Sequence, residues 1–157
     1  MLSEHVSGVL DHKKQVALFL HAISIELNQR AIVHDDSKFS PEELEAFEEA
    51  TPNLKNLTYG SEEYRAELRK IKPAIQHHYQ QNRHHPEYFE FEVDGINGID
   101  QMNLIDLVEM VCDWIAATKR VKDGDIYKSL PINKERFHIG DQLNGIIKNT
   151  IDALLGN

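Results

Sequence analysis

Two pairs of adjacent histidines, His77–His78 and His84–His85, sit within the stretch IQHHYQQNRHHPEYF, which holds four of the nine histidines in the chain. Imidazole at that density, in a chain rich in acids, is the raw material of a metal site. Neighbouring side chains on a helix point about 100° apart, so a pair sends one ring to an ion and leaves the other to orient it or to meet substrate. His78 and His85 lie seven positions apart, as do His77 and His84. On a helix that persists to Arg83, each such couple shares a face. The bland alternative is a solvated helix end that happens to be rich in histidine.

Further candidates lie on both sides. His34-Asp35 can offer an imidazole nitrogen and a carboxylate to one ion, or let the carboxylate bridge two. The segment DLVEMVCDW places Asp106, Glu109 and Asp113 at i, i+3, i+7, one acidic stripe on an apolar helix. Acids on a central helix face either water or a cation. Asp113 is the favoured ligand, because Trp114 and the apolar residues after it suggest depth. His12 shares the apolar face of the first segment with Val9, Val16, Phe19 and Ile23. A straight helix would put His12 about 33 Å from His34. The two reach one ion only if the chain turns within HAISIELNQ, at Ser24 or Asn28.

The elements that must position these groups are helical. A first helix is expected from about Glu4 to Val33. Ser40, Pro41 and Glu43 read as the capping box of a short acidic helix that Thr51-Pro52 ends. Ser61 caps SEEYRAELRKIKPAIQHHYQQN, where Pro73 kinks or restarts the helix and His85-Pro86 closes it. YFEFEVDGINGID reads as a loop or a small hairpin. Asp100 or Asn103 caps the apolar helix QMNLIDLVEMVCDWIAATKRV. KDGDIYKSLPINKERF reads as a connecting loop, and IGDQLNGIIKNTIDALLGN as a final helix ending at Gly156. The expectation is one all-α domain over residues 1–157.

Composition narrows the function classes. Of 157 residues, 41% are hydrophobic and 27% charged, as in ordinary globular proteins. A net charge of −9 argues against broad nucleic-acid binding. An anionic substrate then needs a local cationic centre, which a metal ion supplies. No apolar run approaches the roughly 20 residues of a membrane span, and the N-terminus lacks the pattern of a secretory signal. The single cysteine, Cys112, has no partner, and a reducing cytoplasm fits.

In order, His12, His34-Asp35, His78, His84-His85 and Asp113 resemble the H…HD…H…HH…D pattern of the HD-domain superfamily of metal-dependent phosphohydrolases. HKKQVALFLHAISIELNQRAIVHDDSKFSPEE, HHYQQNRHHPEYF and DLVEMVCDWIAA are also similar to a small uncharacterised family of phages and bacteria, over nearly the whole chain. The resemblance implies an all-α fold with metal in a helical core. It implies His12, His34, Asp35 and Asp113 as the set of the one-metal branch. It implies His78, His84 and His85 as the additional histidines of the two-metal branch, with Asp35 bridging. The GYP motif of the cyclic-dinucleotide branch is missing, so that substrate is not expected.

The expected activity is hydrolysis of a nucleotide or similar small phosphoester, with one or two divalent ions (Mn, Mg, Co, Fe or Zn). Asp35 and His84 would serve the chemistry, and Lys38 and Arg83 would meet substrate phosphate. Glu109 would orient a ligand histidine. The alternatives are a di-iron oxygenase on the same scaffold and a domain that binds metal or nucleotide without turnover. A homo-oligomer fits either.

Overall fold

The computed structural model describes residues 3–90, 95, 97–120 and 123–156. Among these, eight α-helices and two 3-10 turns account for the regular structure, and the all-α expectation holds. The chain divides into two compact units, Met1–His34 and Asp35–Asn157.

The first unit is one helix, α1 (Glu4–Val33), whose first turn Ser3 caps by accepting a hydrogen bond from the Val6 N–H. The predicted bounds match. The turn that would bring His12 to His34 does not exist, because the helix passes through Ser24 and Asn28 unbroken. Neither residue carries the glycine or proline that stops a helix, and good helix formers such as Ala22, Glu26 and Leu27 surround them. None of the described α1 residues is buried.

The second unit opens with a 3-10 turn, Asp36–Phe39. Then follow α2 (Leu44–Leu54), α3 (Glu62–Lys70), α4 (Lys72–Gln81), the short α5 (Glu87–Glu90), α6 (Leu104–Thr118), α7 (Ile126–Arg136) and α8 (Asp141–Leu155). Its core lies among α6, α7 and α8. Met110 and Val111 meet Ile126, Leu130, Phe137, Ile147 and Ile151, and Trp114 stacks on Phe137 at 6.0 Å between ring centroids.

Several local expectations hold. Ser61 accepts from the Tyr64 N–H at the start of α3. Pro73 sits in the first turn of α4, which restarts the chain after Ile71. Asn103 caps α6 in a capping box with Asp106, and Gly156 ends α8 in the left-handed region.

Others do not. The segment expected as a connecting loop contains α7, capped by Asp125 and carrying Pro131 inside it. Apolar Ile126 and Leu130, four apart, were enough to dock it on the core. Pro52 does not end α2, which continues to Leu54. The capping box at Ser40 does not form; residues 41–43 make turns and α2 begins at Leu44. Of the loop or hairpin expected over residues 88–100, residues 91–94 and 96 lie outside the described residues, and the described part holds the end of α5 and a 3-10 turn, Gly98–Gln101. A Cβ on Gly98 would stand 1.9 Å from the Pro86 carbonyl oxygen, so glycine is required for this turn to close against the His84-His85-Pro86 segment.

Candidate metal centre

The site assembles within the second unit from three short stretches and one helix. The first stretch begins at Asp35, whose φ of 61° and ψ of 14° lie in the left-handed region. Aspartate tolerates that region better than most residues, yet the conformation is uncommon and clusters at functional sites. The second stretch is the turn before α2, which carries Glu43. The third is the end of α4 and the turn beyond it.

α4 stops at Gln81 because Asn82 turns extended (φ −122°, ψ 106°). Asn82 Nδ2 donates to the His78 carbonyl and to Ser37 Oγ, both at 2.7 Å, and so ties the helix end to the 3-10 turn. The helix therefore does not persist to Arg83, and the shared-face argument for His78 and His85 fails in its details. The break brings the two rings together instead, with His78 Nε2 3.0 Å from His85 Nε2.

Four groups converge. Asp35 Oδ1 lies 3.3 Å from His78 Nε2 and 3.5 Å from His84 Nε2. One donor atom from each of Asp35, His78, His84 and His85 falls within 4.8 Å of all the others. Ligands about 2.0–2.2 Å from a tetrahedral ion stand roughly 3.3–3.5 Å apart. The two separations from Asp35 match that edge length, and three imidazoles with one carboxylate could hold a divalent metal.

The outer ring nitrogens are anchored. His78 Nδ1 donates to Glu43 Oε2 at 2.9 Å, and His84 Nδ1 lies 3.2 Å from Glu109 Oε1. A carboxylate can only accept, so the Nδ1 that faces it is the protonated nitrogen, and a bound ion would take the opposite nitrogen, Nε2. This carboxylate–histidine arrangement is typical of metal-ligating imidazoles. Glu43 is fully buried and also takes His77 Nδ1 at 2.7 Å. The first histidine pair thus shares one carboxylate.

Electrostatics favour ligation. Burial alone would raise the Asp35 carboxyl, but the hydrogen bond with His78 and the charge of Lys38 outweigh it and hold the group far below the ordinary carboxylate range. Burial first, then the charges of His84 and His78, push His85 well below the usual imidazole value, which keeps it in the neutral, ligating form.

The remaining expected residues are distributed as follows. Asp113 brings a carboxylate oxygen within 4.8 Å of Asp35. His84 is buried in the cluster rather than facing substrate. Lys38 Nζ pairs with Asp35 Oδ2 at 2.5 Å. Arg83, expected to meet substrate phosphate, makes its contacts within the fold. It is held by Asp106, with Nε 3.2 Å from Oδ1 and Nη2 3.0 Å from Oδ2, and it lies over the Phe89 and Tyr88 rings. A fully buried Asp106 needs a counter-charge more than the acidic surface does. His34 caps the C-terminus of α1, directly before Asp35 in the chain. His12, in mid-α1, stands about 33 Å from His34 along the helix, so the two cannot hold one ion in a single chain, and His12 leaves the expected ligand set.

Sequence reasoning missed Glu43, Ser37 and Asn82. Glu43 was legible only as an apparent capping residue. Ser37 and Asn82 lay inside the HDDSK and NRHH stretches without a signal of their own.

An all-α protein with a carboxylate-anchored histidine cluster is the class these features define. The chain belongs to the family described as "Family of unknown function (DUF5662)", whose model matches residues 1–155. No curated protein and no solved structure matches it.

Proposed function

We propose that this protein is a divalent-metal-dependent phosphohydrolase acting on a nucleotide or a similar small phosphoester. One observation carries the reading: His78 and His84, each anchored at Nδ1 by a buried or half-buried glutamate, aim Nε2 at the same oxygen of Asp35. The resemblance of the motif order to the HD-domain superfamily supports the reaction class, as an analogy of pattern. Asp35, His78, His84 and His85 would hold the ion, and Asp113 is near enough to Asp35 to serve a second ion or to orient the first set. A divalent ion at such a centre acidifies a bound water and neutralises phosphate charge. The chain's own contribution is to anchor His78 and His84 at Nδ1, to hold His85 in its neutral form and to keep Asp35 ionised. Lys38, beside Asp35, adds the cationic group next to the centre in an otherwise acidic protein.

Metal content of protein purified without a histidine tag tests the site, and phosphate release from a nucleotide panel with Mn²⁺, Co²⁺ or Mg²⁺ tests the reaction. Asp35→Ala and His78→Ala should each lose release while far-UV helicity persists. Undiminished turnover in Asp35→Ala and His78→Ala would sink the assignment. Stoichiometric iron with oxygen uptake, and no phosphate release, would move the protein to the oxygenase class.

A further inference from the structure

α1 is apolar on most of its circumference, yet none of its described residues is buried. A helix of that kind is normally covered by something. Its spacing says by what. Val6, Val9, Val16, Leu20, Ile23 and Leu27 fall on alternating steps of three and four residues, the a and d positions of a coiled-coil seam. Only Lys13 interrupts the run between Val6 and Leu27, and Val6, Val9, Val16, Leu20 and Ile23 are exposed. The helix is about 45 Å long and, with side chains, about 10–12 Å across, so half of its surface is on the order of 750 Å². That is close to the roughly 800 Å² per partner of a standard stable interface.

Charge points to the same occupant. α1 carries Glu4, Asp11 and Glu26 against Lys13, Lys14 and Arg30, so the whole formal charge of −9 lies on the rest of the chain. Two copies can therefore approach along α1 without the mutual repulsion that their other surfaces impose. We propose that α1 is the docking surface for a second copy of this chain, paired antiparallel along the Val6–Leu27 seam. In a parallel, in-register pair Lys13 would face Lys13 of the second copy in the same layer, two like charges at the seam. In an antiparallel pair with Leu20 against Val16 of the second copy, Lys13 lies opposite Ile23 and three residues from Glu26 of that copy. The one cation in the seam then finds Glu26, which within its own copy also accepts from Arg30 Nε at 3.2 Å, and two-fold symmetry makes the contact twice.

α1 is also long and apolar enough, by length and composition alone, to cross a membrane. Leu18, Ile25 and Ile32 form a second exposed stripe, so a bilayer is the competing occupant. The sequence disfavours it. Charged residues recur from Glu4 to Arg30, and the uncharged run between Lys14 and Glu26 is only 11 residues, against the roughly 20 of a span.

Sedimentation equilibrium of the full chain should give a dimer at micromolar concentration. Leu20→Glu with Ile23→Glu should give a monomer whose far-UV spectrum keeps the helical content of the second unit. Lys13→Glu should weaken the dimer by on the order of tenfold, from two lost contacts, and adding Glu26→Lys should restore it. A wild-type chain that is monomeric at about 100 µM, or a Leu20→Glu/Ile23→Glu chain that remains dimeric, overturns the surface. So does a chain that is monomeric in solution and co-sediments with phosphatidylcholine–phosphatidylglycerol vesicles. A dimer that the charge reversal fails to restore overturns the antiparallel register.

Discussion

Glu43 Oε2 stands 2.9 Å from His78 Nδ1, and the same carboxylate holds His77 through its other oxygen at 2.7 Å. A fully buried glutamate that spends both oxygens on imidazoles fixes which nitrogen of His78 is free to ligate. Glu43→Gln keeps the shape but can present its amide N–H to His78 Nδ1, which favours the opposite tautomer. Affinity for a divalent ion should fall by roughly 10–100-fold, the usual cost of losing such a partner. Titration calorimetry against Zn²⁺ or Mn²⁺ checks it, with the exposed Glu42→Gln as the control that should bind normally. Equal affinities in the two variants would remove Glu43 from the site.

Asp35 combines a ligand oxygen with a left-handed backbone, and substitution can separate the two. Asp35→Asn tolerates the same φ and ψ but lacks the charge, so metal affinity should drop and the metal-free protein should melt below wild type through the lost Lys38 and His78 contacts, with no added backbone strain. Asp35→Ala pays the left-handed strain as well, about 1–2 kcal/mol. Asp35→Gly relieves that strain and should melt above Asp35→Ala. Thermal unfolding in EDTA gives the order, and an alanine variant as stable as the glycine variant would contradict it.

How much of this was legible in the sequence depends on how local each signal was. Ser61, Asn103 and Gly156 act within one turn of themselves, and each does in the structure what its residue type suggests. The histidine pairs and Asp35 were visible because ligand chemistry is written in residue type. Glu43 was not, since S-x-x-E reads the same whether its carboxylate turns back to the helix start or inward to an imidazole some 35 residues away. Burial decides between those, and burial is a tertiary property. The Arg83–Asp106 pair was hidden for the same reason: the stripe reading favoured Asp113 as ligand, and only the complete burial of Asp106 shows its need for a counter-charge. His12 failed for a simpler one, the continuity of α1.

Arg83 therefore has a partner within the fold, and its loss should be read first in stability. Arg83→Ala strips a bidentate partner from buried Asp106, which keeps its capping-box contacts with Asn103. The loss should cost about 1–3 kcal/mol, the penalty for a buried polar group left short of partners. Denaturant unfolding should show a lower midpoint with an unchanged slope. Once a substrate is found, its KM should move little at temperatures where the variant is folded. A KM raised tenfold or more with no loss of stability would return Arg83 to the phosphate.

Acid should unfold the metal-free protein earlier than a generic surface would allow, and His85 gives the reason. Its folded pKa lies well below the ordinary value of 6.5, chiefly through burial and then through the charges of His84 and His78. The unfolded chain therefore binds the proton more readily than the folded one in the window below 6.5. Stability is full above that value and declines as pH falls toward the folded pKa. Asp35, whose pKa is also depressed, acts in the same direction but at lower pH, below its ordinary 3.8. Melting temperatures in EDTA should hold level from pH 7.5 to about 6.5 and fall from there to pH 5, and His85→Gln should flatten that fall while leaving the decline near pH 3–4 in place. A His85→Gln profile parallel to wild type between pH 7.5 and 5 would show that His85 does not govern the transition.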